Sequence, residues 1–199
     1  MKYKKCTDPK VFGFGILLPI DKILPSVKKY EKKIKPYIEW GAFKEKHKKG
    51  SNLMPLHIAI KYLGYHKNYS NKEIKKLLPE LKEICEKYLP IEIIVRGLKI
   101  GTKYDNIGIL LNYKTDPKVK RFHNEILKKF NGRIDIFENQ DGKNFSQHIT
   151  LAAAKKTNKN LIELRKIAKE SKKDKPIRLK CNEAYIFFKE GPKTIYHKK

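Results

Sequence analysis

The sequence predicts an α+β protein of two similar lobes, each an antiparallel sheet with two helices, flanking a central cleft. Two observations carry this reading. The order strand, helix, histidine-bearing strand, helix, strand occurs once in each half of the 199 residues. Equivalent elements also recur at nearly equal spacing, with Ile16 preceding His57 by 41 positions and Ile109 preceding His148 by 39. A chain of this length can bury one core or two small lobes that share an interface. It is therefore read as a single bilobal unit over residues 1–199, with one histidine strand in each half.

Taken in order, the apolar run over 12–18 is a strand stopped by Pro19. Residues 22–40 carry Ile23, Val27, Tyr30, Ile34 and Ile38 at helical spacing and predict one helix. A polar, basic loop over 41–52 leads to a strand over 56–62. Ser70 with Glu73 is a capping-box pattern, and Pro79 is expected to open a fresh helix bearing Leu81, Ile84, Cys85 and Tyr88. Strands follow over 91–95 and 107–113. Asp116-Pro117 starts a helix on Val119, Phe122, Ile126, Leu127 and Phe130, which Asn131-Gly132 ends. Strands are expected over 133–137 and 148–153, a helix over 158–171, and a strand-rich tail over 177–196 broken at Glu190-Gly191-Pro192.

Composition narrows the partner. Lys and Arg number 47 against 21 Asp and Glu, a formal net charge of +26, so the molecule attracts polyanions and nucleic acid is the expected partner. A lysine-rich background would also raise this charge without any such role. Three scattered cysteines (Cys6, Cys85, Cys181) with no CxxC pair argue against a disulfide framework or a zinc site and fit a reducing cytoplasm. The basic start followed by an apolar run loosely imitates a signal peptide, but Asp8 and Pro9 interrupt it and no small-residue cleavage site follows. No apolar stretch approaches the roughly 20 residues that span a bilayer, so no membrane role is expected.

Side chains alternate across a strand. His57, Ala59 and Lys61 therefore share one face of the 56–62 strand, opposite Leu56, Ile58, Ile60 and Tyr62. His148, Thr150 and Ala152 likewise oppose Ile149, Leu151 and Ala153. Two histidines flooring a groove suit in-line attack on phosphorus, in which one imidazole takes a proton from the nucleophile and another protonates the leaving oxygen. Thr150 can hydrogen-bond a non-bridging oxygen, and Lys61 can offset developing charge. Phe14, on the first strand, can stack on a base, with core packing as its ordinary alternative. His123 sits on the apolar side of its helix and reads as structural, while His47, His66 and His197 read as solvated. No acidic cluster calls for a two-metal site, and no cofactor is expected.

These residues resemble the 2H phosphoesterases, a superfamily that includes 2′-5′ RNA ligases and RNA 2′,3′-cyclic phosphodiesterases. Leu56-His57-Ile58-Ala59-Ile60-Lys61-Tyr62-Leu63-Gly64 is similar to the first family motif, and His148-Ile149-Thr150-Leu151-Ala152 is similar to the second. Leu18-Pro19 and the tail from Gly191 through Tyr196 also resemble the family's two ends. The resemblance implies His57 and His148 as catalytic residues and Thr150 as a phosphate ligand. It further implies RNA partners with a 3′ cyclic phosphate end or tRNA-like fragments, hydrolysis to a 2′-phosphate, and a reverse-type 2′-5′ ligation; a cytoplasmic monomer is expected. Ala59 stands where the family has Thr or Ser, Gln147 where many members have proline, and Ala153 where an arginine is common. A second reading is therefore an RNA-binding protein of weak or no activity that retains the cleft.

Overall fold

The computed structural model describes residues 13–41, 56–65, 68–102, 106–138, 141–188 and 191–197. Phe12, His66 and His47, with nearly all of the basic loop that holds it, fall outside them. In chain order the elements are β1 (Gly13–Pro19), α1 (Leu24–Ile34), β2 (Ile38–Gly41), β3 (His57–Tyr65), α2 (Asn71–Tyr88), β4 (Ile91–Gly101) and β5 (Asn106–Thr115). There follow α3 (Lys118–Lys129), β6 (Thr150–Lys155), α4 (Asn158–Ser171), β7 (Ile177–Cys181), β8 (Glu183–Phe188) and β9 (Gly191–His197). They form two antiparallel sheets, in the strand orders β3-β1-β8-β9 and β2-β6-β5-β4-β7.

The two sheets repeat one plan. β1 lies between β3 and β8, with β9 beyond; β5 lies between β6 and β4, with β7 beyond. The second sheet adds β2 on the outer edge of β6. Helices α2 and α3 pack together on the first sheet, whereas α4 lies on β4 with α1 beside it. Each sheet draws strands from both halves of the chain, and the chain changes sheet across the single residue Asn182, between β7 and β8.

Local chemistry explains several helix ends. Ser70 caps α2 through a full capping box, in which its hydroxyl accepts the Glu73 N–H at 3.2 Å and Glu73 accepts the Ser70 N–H at 2.7 Å. Thr157 caps α4 by accepting the Asn160 N–H at 3.1 Å. Three expected elements differ. The helix expected over 22–40 ends at Ile34, because Pro36 has no N–H to continue it, and Ile38 instead pairs with Ala154 in β2. Pro79 does not open a new helix but lies within α2, on its exposed side. The stripe Ile74, Leu77, Leu81, Ile84, Cys85 is buried continuously past it, which offsets the roughly 3 kcal/mol an interior proline costs. The strand expected over 133–137 does not form; this stretch runs as irregular chain along β3.

β4 is bent by a bulge between Val95 and Leu98. There Gly97 has φ +73°, and a Cβ on it would stand 2.5 Å from the Ser171 carbonyl oxygen. The Leu98 N–H donates to Ser171 Oγ at 2.7 Å, which ties the bulge to the end of α4. Gly97→Ala combines a left-handed backbone with a steric collision, so it is expected to cost about 2 kcal/mol or more. A thermal melt checks this, and an unchanged midpoint contradicts it.

Candidate active site

His57 opens β3 and pairs with Pro19, while Ala59 pairs with Leu17. Directly paired residues share a face, so His57 and Ala59 lie opposite the fully buried Ile58 and its partner Leu18. His57 and Ala59 are both half-buried. The next step departs from simple alternation. Ile16 pairs with Lys61 rather than with Ile60, leaving Ile60 as a bulge. Lys61 therefore joins Ile16 and Ile58 on the core face, and Tyr62, 38% exposed, takes the face of His57.

The second histidine follows the same pattern. His148 is exposed and lies two residues before β6, rather than on the strand itself. Thr150 pairs with Leu110, and the ladder then skips Leu151 so that Ala152 pairs with Ile109 on the core face. In both sheets a bulge thus falls three residues after the histidine, at Ile60 and at Leu151, and the residue after it turns into the core. Ala59 corresponds to Thr150, and Lys61 corresponds to Ala152.

A pocket of about 360 Å³ adjoins His148, lined by Lys99, Leu110, Leu111, Asn112, Tyr113, Phe145, Ser146 and Gln147. His57 is not part of that lining. Among the described residues no partner takes the Thr150 hydroxyl. The His148 Nδ1–H points to the Ser146 carbonyl at 3.4 Å, a weak contact that leaves Nε2 free to act as an acceptor. Register places Lys99 beside Leu110, and Lys114 and Arg178 on either side of Ile94, all on the face of Thr150. Lys99, Lys114, Arg178 and Lys180 are exposed and have no ion-pair partner among the described residues. By contrast Lys87, Lys129 and Arg133, around α2 and α3, are paired with Glu125, Glu83 and Glu80.

Lys61 and Phe14 do not meet the expectation that they touch substrate. Phe14 is fully buried and edge-on to Tyr69 at 5.1 Å, because it shares the core face with Ile16 and Leu18. The Lys61 ammonium is fully buried and donates to Asp141 Oδ2 at 2.8 Å, to the Asp135 carbonyl at 2.9 Å and to the Tyr62 carbonyl. Burial lowers its pKa, and Asp141 opposes that shift. Beside this pair, His123 donates from Nδ1 to the Ile60 carbonyl at 2.8 Å and accepts the Gly142 N–H on Nε2 at 3.2 Å. It is thus held as a neutral tautomer. Its ring stacks on Phe145 at 3.8 Å, in keeping with the structural role expected of it. Asp141, Phe145, Lys99 and Asn112 were not legible as site residues, since only three-dimensional register brings them near a histidine. Among the described residues no group of three His, Cys, Asp or Glu side chains could hold a metal ion, and no helix is long and apolar enough to cross a membrane.

Two antiparallel sheets on one repeated plan, each presenting a histidine at the same place before a bulge, define the 2H phosphoesterase architecture. The chain belongs to the 2′-5′ RNA ligase superfamily, whose sequence model matches residues 31–191. No curated protein sequence matches it. Among solved structures, Usb1 of Kluyveromyces marxianus is similar with a TM-score of 0.50 at 10% identity, over 92% of this chain and 97% of that one. The same protein with uridine monophosphate gives 0.50 at 12% identity, over 94% and 99%. TT0787 of Thermus thermophilus gives 0.51 at 14% identity, over 92% and 93%. These likenesses place the fold.

The neutral His123 makes a pH prediction. Burial holds its pKa below the ordinary 6.5. Below that value the unfolded chain binds a proton that the folded protein refuses, so stability is full above about pH 6.5 and falls toward the depressed folded value. His123→Gln can keep both hydrogen bonds without titrating. Its melting temperature should fall less than that of the wild type between about pH 7 and pH 5; parallel slopes contradict this.

Proposed function

We propose that the protein is an RNA phosphoesterase that opens a terminal 2′,3′-cyclic phosphate, with His57 and His148 as the general acid and base. The observation that carries this reading is the matched setting of the two histidines, each two residues before Ala59 or Thr150 and three before a bulge. One neutral imidazole takes a proton from water as the oxygen attacks phosphorus. The P–O3′ bond breaks, and the other imidazole, protonated, gives its proton to O3′, leaving a 2′-phosphate and a 3′-hydroxyl. Thr150 donates to a non-bridging oxygen. These steps use only side chains and water, so the reaction is proposed as metal-independent. The same chemistry with a 5′-hydroxyl as nucleophile forms a 2′-5′ linkage.

The cations Lys114, Arg178 and Lys180, which have no ion-pair partner among the described residues, favour an RNA strand over a small cyclic nucleotide, because they continue the face of Thr150 beyond the pocket that Lys99 lines. Usb1 is described with uridine monophosphate, which makes a uridine-ended RNA the first substrate to try. A second reading, RNA binding without turnover, is favoured by one observation: Ala59 supplies no hydroxyl where Thr150 does.

A short RNA ending in a 2′,3′-cyclic phosphate, incubated with chelator, should acquire a 2′-phosphate end. His57→Ala and His148→Ala should each slow this by about 10²–10⁴-fold. A cyclic end that survives the wild-type protein overturns the proposal. Ala59→Thr should raise turnover by about tenfold or more if the missing donor limits the rate; turnover that appears only in this variant supports the binding reading. For single-stranded RNA, Lys114→Gln with Arg178→Gln should flatten the salt dependence of binding by about 0.7 per lost phosphate contact. An unchanged slope removes this face from the interface.

A further inference from the structure

We propose that Lys61, Asp141 and His123 form a buried clamp that positions His148 relative to His57. This inference rests on the phosphoesterase reading and assigns the three as positioning residues for it. The stretch 134–138 runs along the outer edge of β3, the edge that corresponds to the one β2 covers on β6. It is tied there at several points. The Asp135 N–H donates to the carbonyl of Leu63, the residue skipped by the second bulge of β3, at 2.9 Å. Lys61 reaches the Asp135 carbonyl and the Asp141 carboxylate. Asp141 also accepts the Phe137 N–H at 2.7 Å, and its other oxygen lies 3.6 Å from His123 Nε2. Tyr69 donates to the Asp135 side chain at 2.8 Å. Lys61 stands four residues after His57, and Asp141 seven before His148. Beyond the clamp the chain joins the second sheet, where the Leu111 N–H donates to the Ile149 carbonyl at 2.9 Å. The short path from one histidine to the other therefore passes through this ion pair.

The fold itself does not require a charge here. Ala152 occupies the corresponding position of the second sheet and is simply buried. Replacing a buried ion pair by apolar side chains of similar size is often neutral or stabilising. A lysine at this point brings what an alanine cannot, namely three directed hydrogen bonds, which tie Asp135, Asp141 and β3 together. Both bulge carbonyls, of Ile60 and Leu63, leave the strand ladder to bind His123 and Asp135.

The test is the double variant Lys61→Met with Asp141→Leu, assayed for turnover of the cyclic-phosphate RNA well below its melting temperature. The clamp predicts that kcat falls by about 10- to 100-fold through misplacement of an imidazole, while KM and the melting temperature stay near wild type. A folded double variant with wild-type kcat overturns it. Native-state hydrogen exchange on the unaltered protein gives an independent reading. The Phe137 and Gly142 amides should be protected like those of β3, and exchange typical of an open loop overturns the proposal. A wild-type protein without turnover contradicts the phosphoesterase reading, and exchange then decides the clamp by itself.

Discussion

A lysine four residues after His57 cannot reach water, and the way the chain accommodates it organises much of the first sheet. Bulging at Ile60 turns Lys61 into the core, where an unpaired ammonium is costly unless paired and fully hydrogen-bonded. Asp141 and two carbonyls supply that, and in doing so they tie Asp135 and Asp141 to β3. An uncovered strand edge is a liability for association. Here the same residues that satisfy the lysine also approach that edge.

The two sheets are equivalent in strand order and in the placement of histidine and bulge, yet they differ where the chemistry is most sensitive. The second sheet has Thr150 and Ala152 where the first has Ala59 and Lys61. One side thus offers a hydroxyl outward and a plain methyl inward, and the other offers a methyl outward and a fixed charge inward. The pocket lies on the hydroxyl side, beside His148. On the proposed reading, this asymmetry assigns phosphate recognition to the second sheet, with the first contributing its histidine.

The sequence revealed the elements governed by short-range physics. Helix α4 was legible over its full length because its apolar stripe is regular, and the Thr157 cap found in the structure fixes the same start. The stripe over 22–40 misled because Ile38 fits helical spacing, while Pro36 breaks the backbone bonding that spacing ignores. The faces of His57 and Thr150 follow from the strongly apolar neighbour beside each, whereas His148 stands two residues ahead of the strand expected to carry it. Lys61 does not take the face that simple alternation gives it, because the bulge at Ile60 shifts the phase of β3 without any local signature, while Phe14 takes the core packing that was its ordinary alternative. The pairing of strands from both halves into each sheet depends on long-range packing that no window of sequence contains.

The central claim is that His57 and His148 serve one site. An NMR titration of the histidine ring signals with uridine 2′,3′-cyclic monophosphate tests this directly, with His123 as the internal control. Signals of His57 and His148 that move together with one midpoint, while buried His123 stays still, are the predicted result. Movement of His148 alone, or of the two with unrelated midpoints, would contradict it.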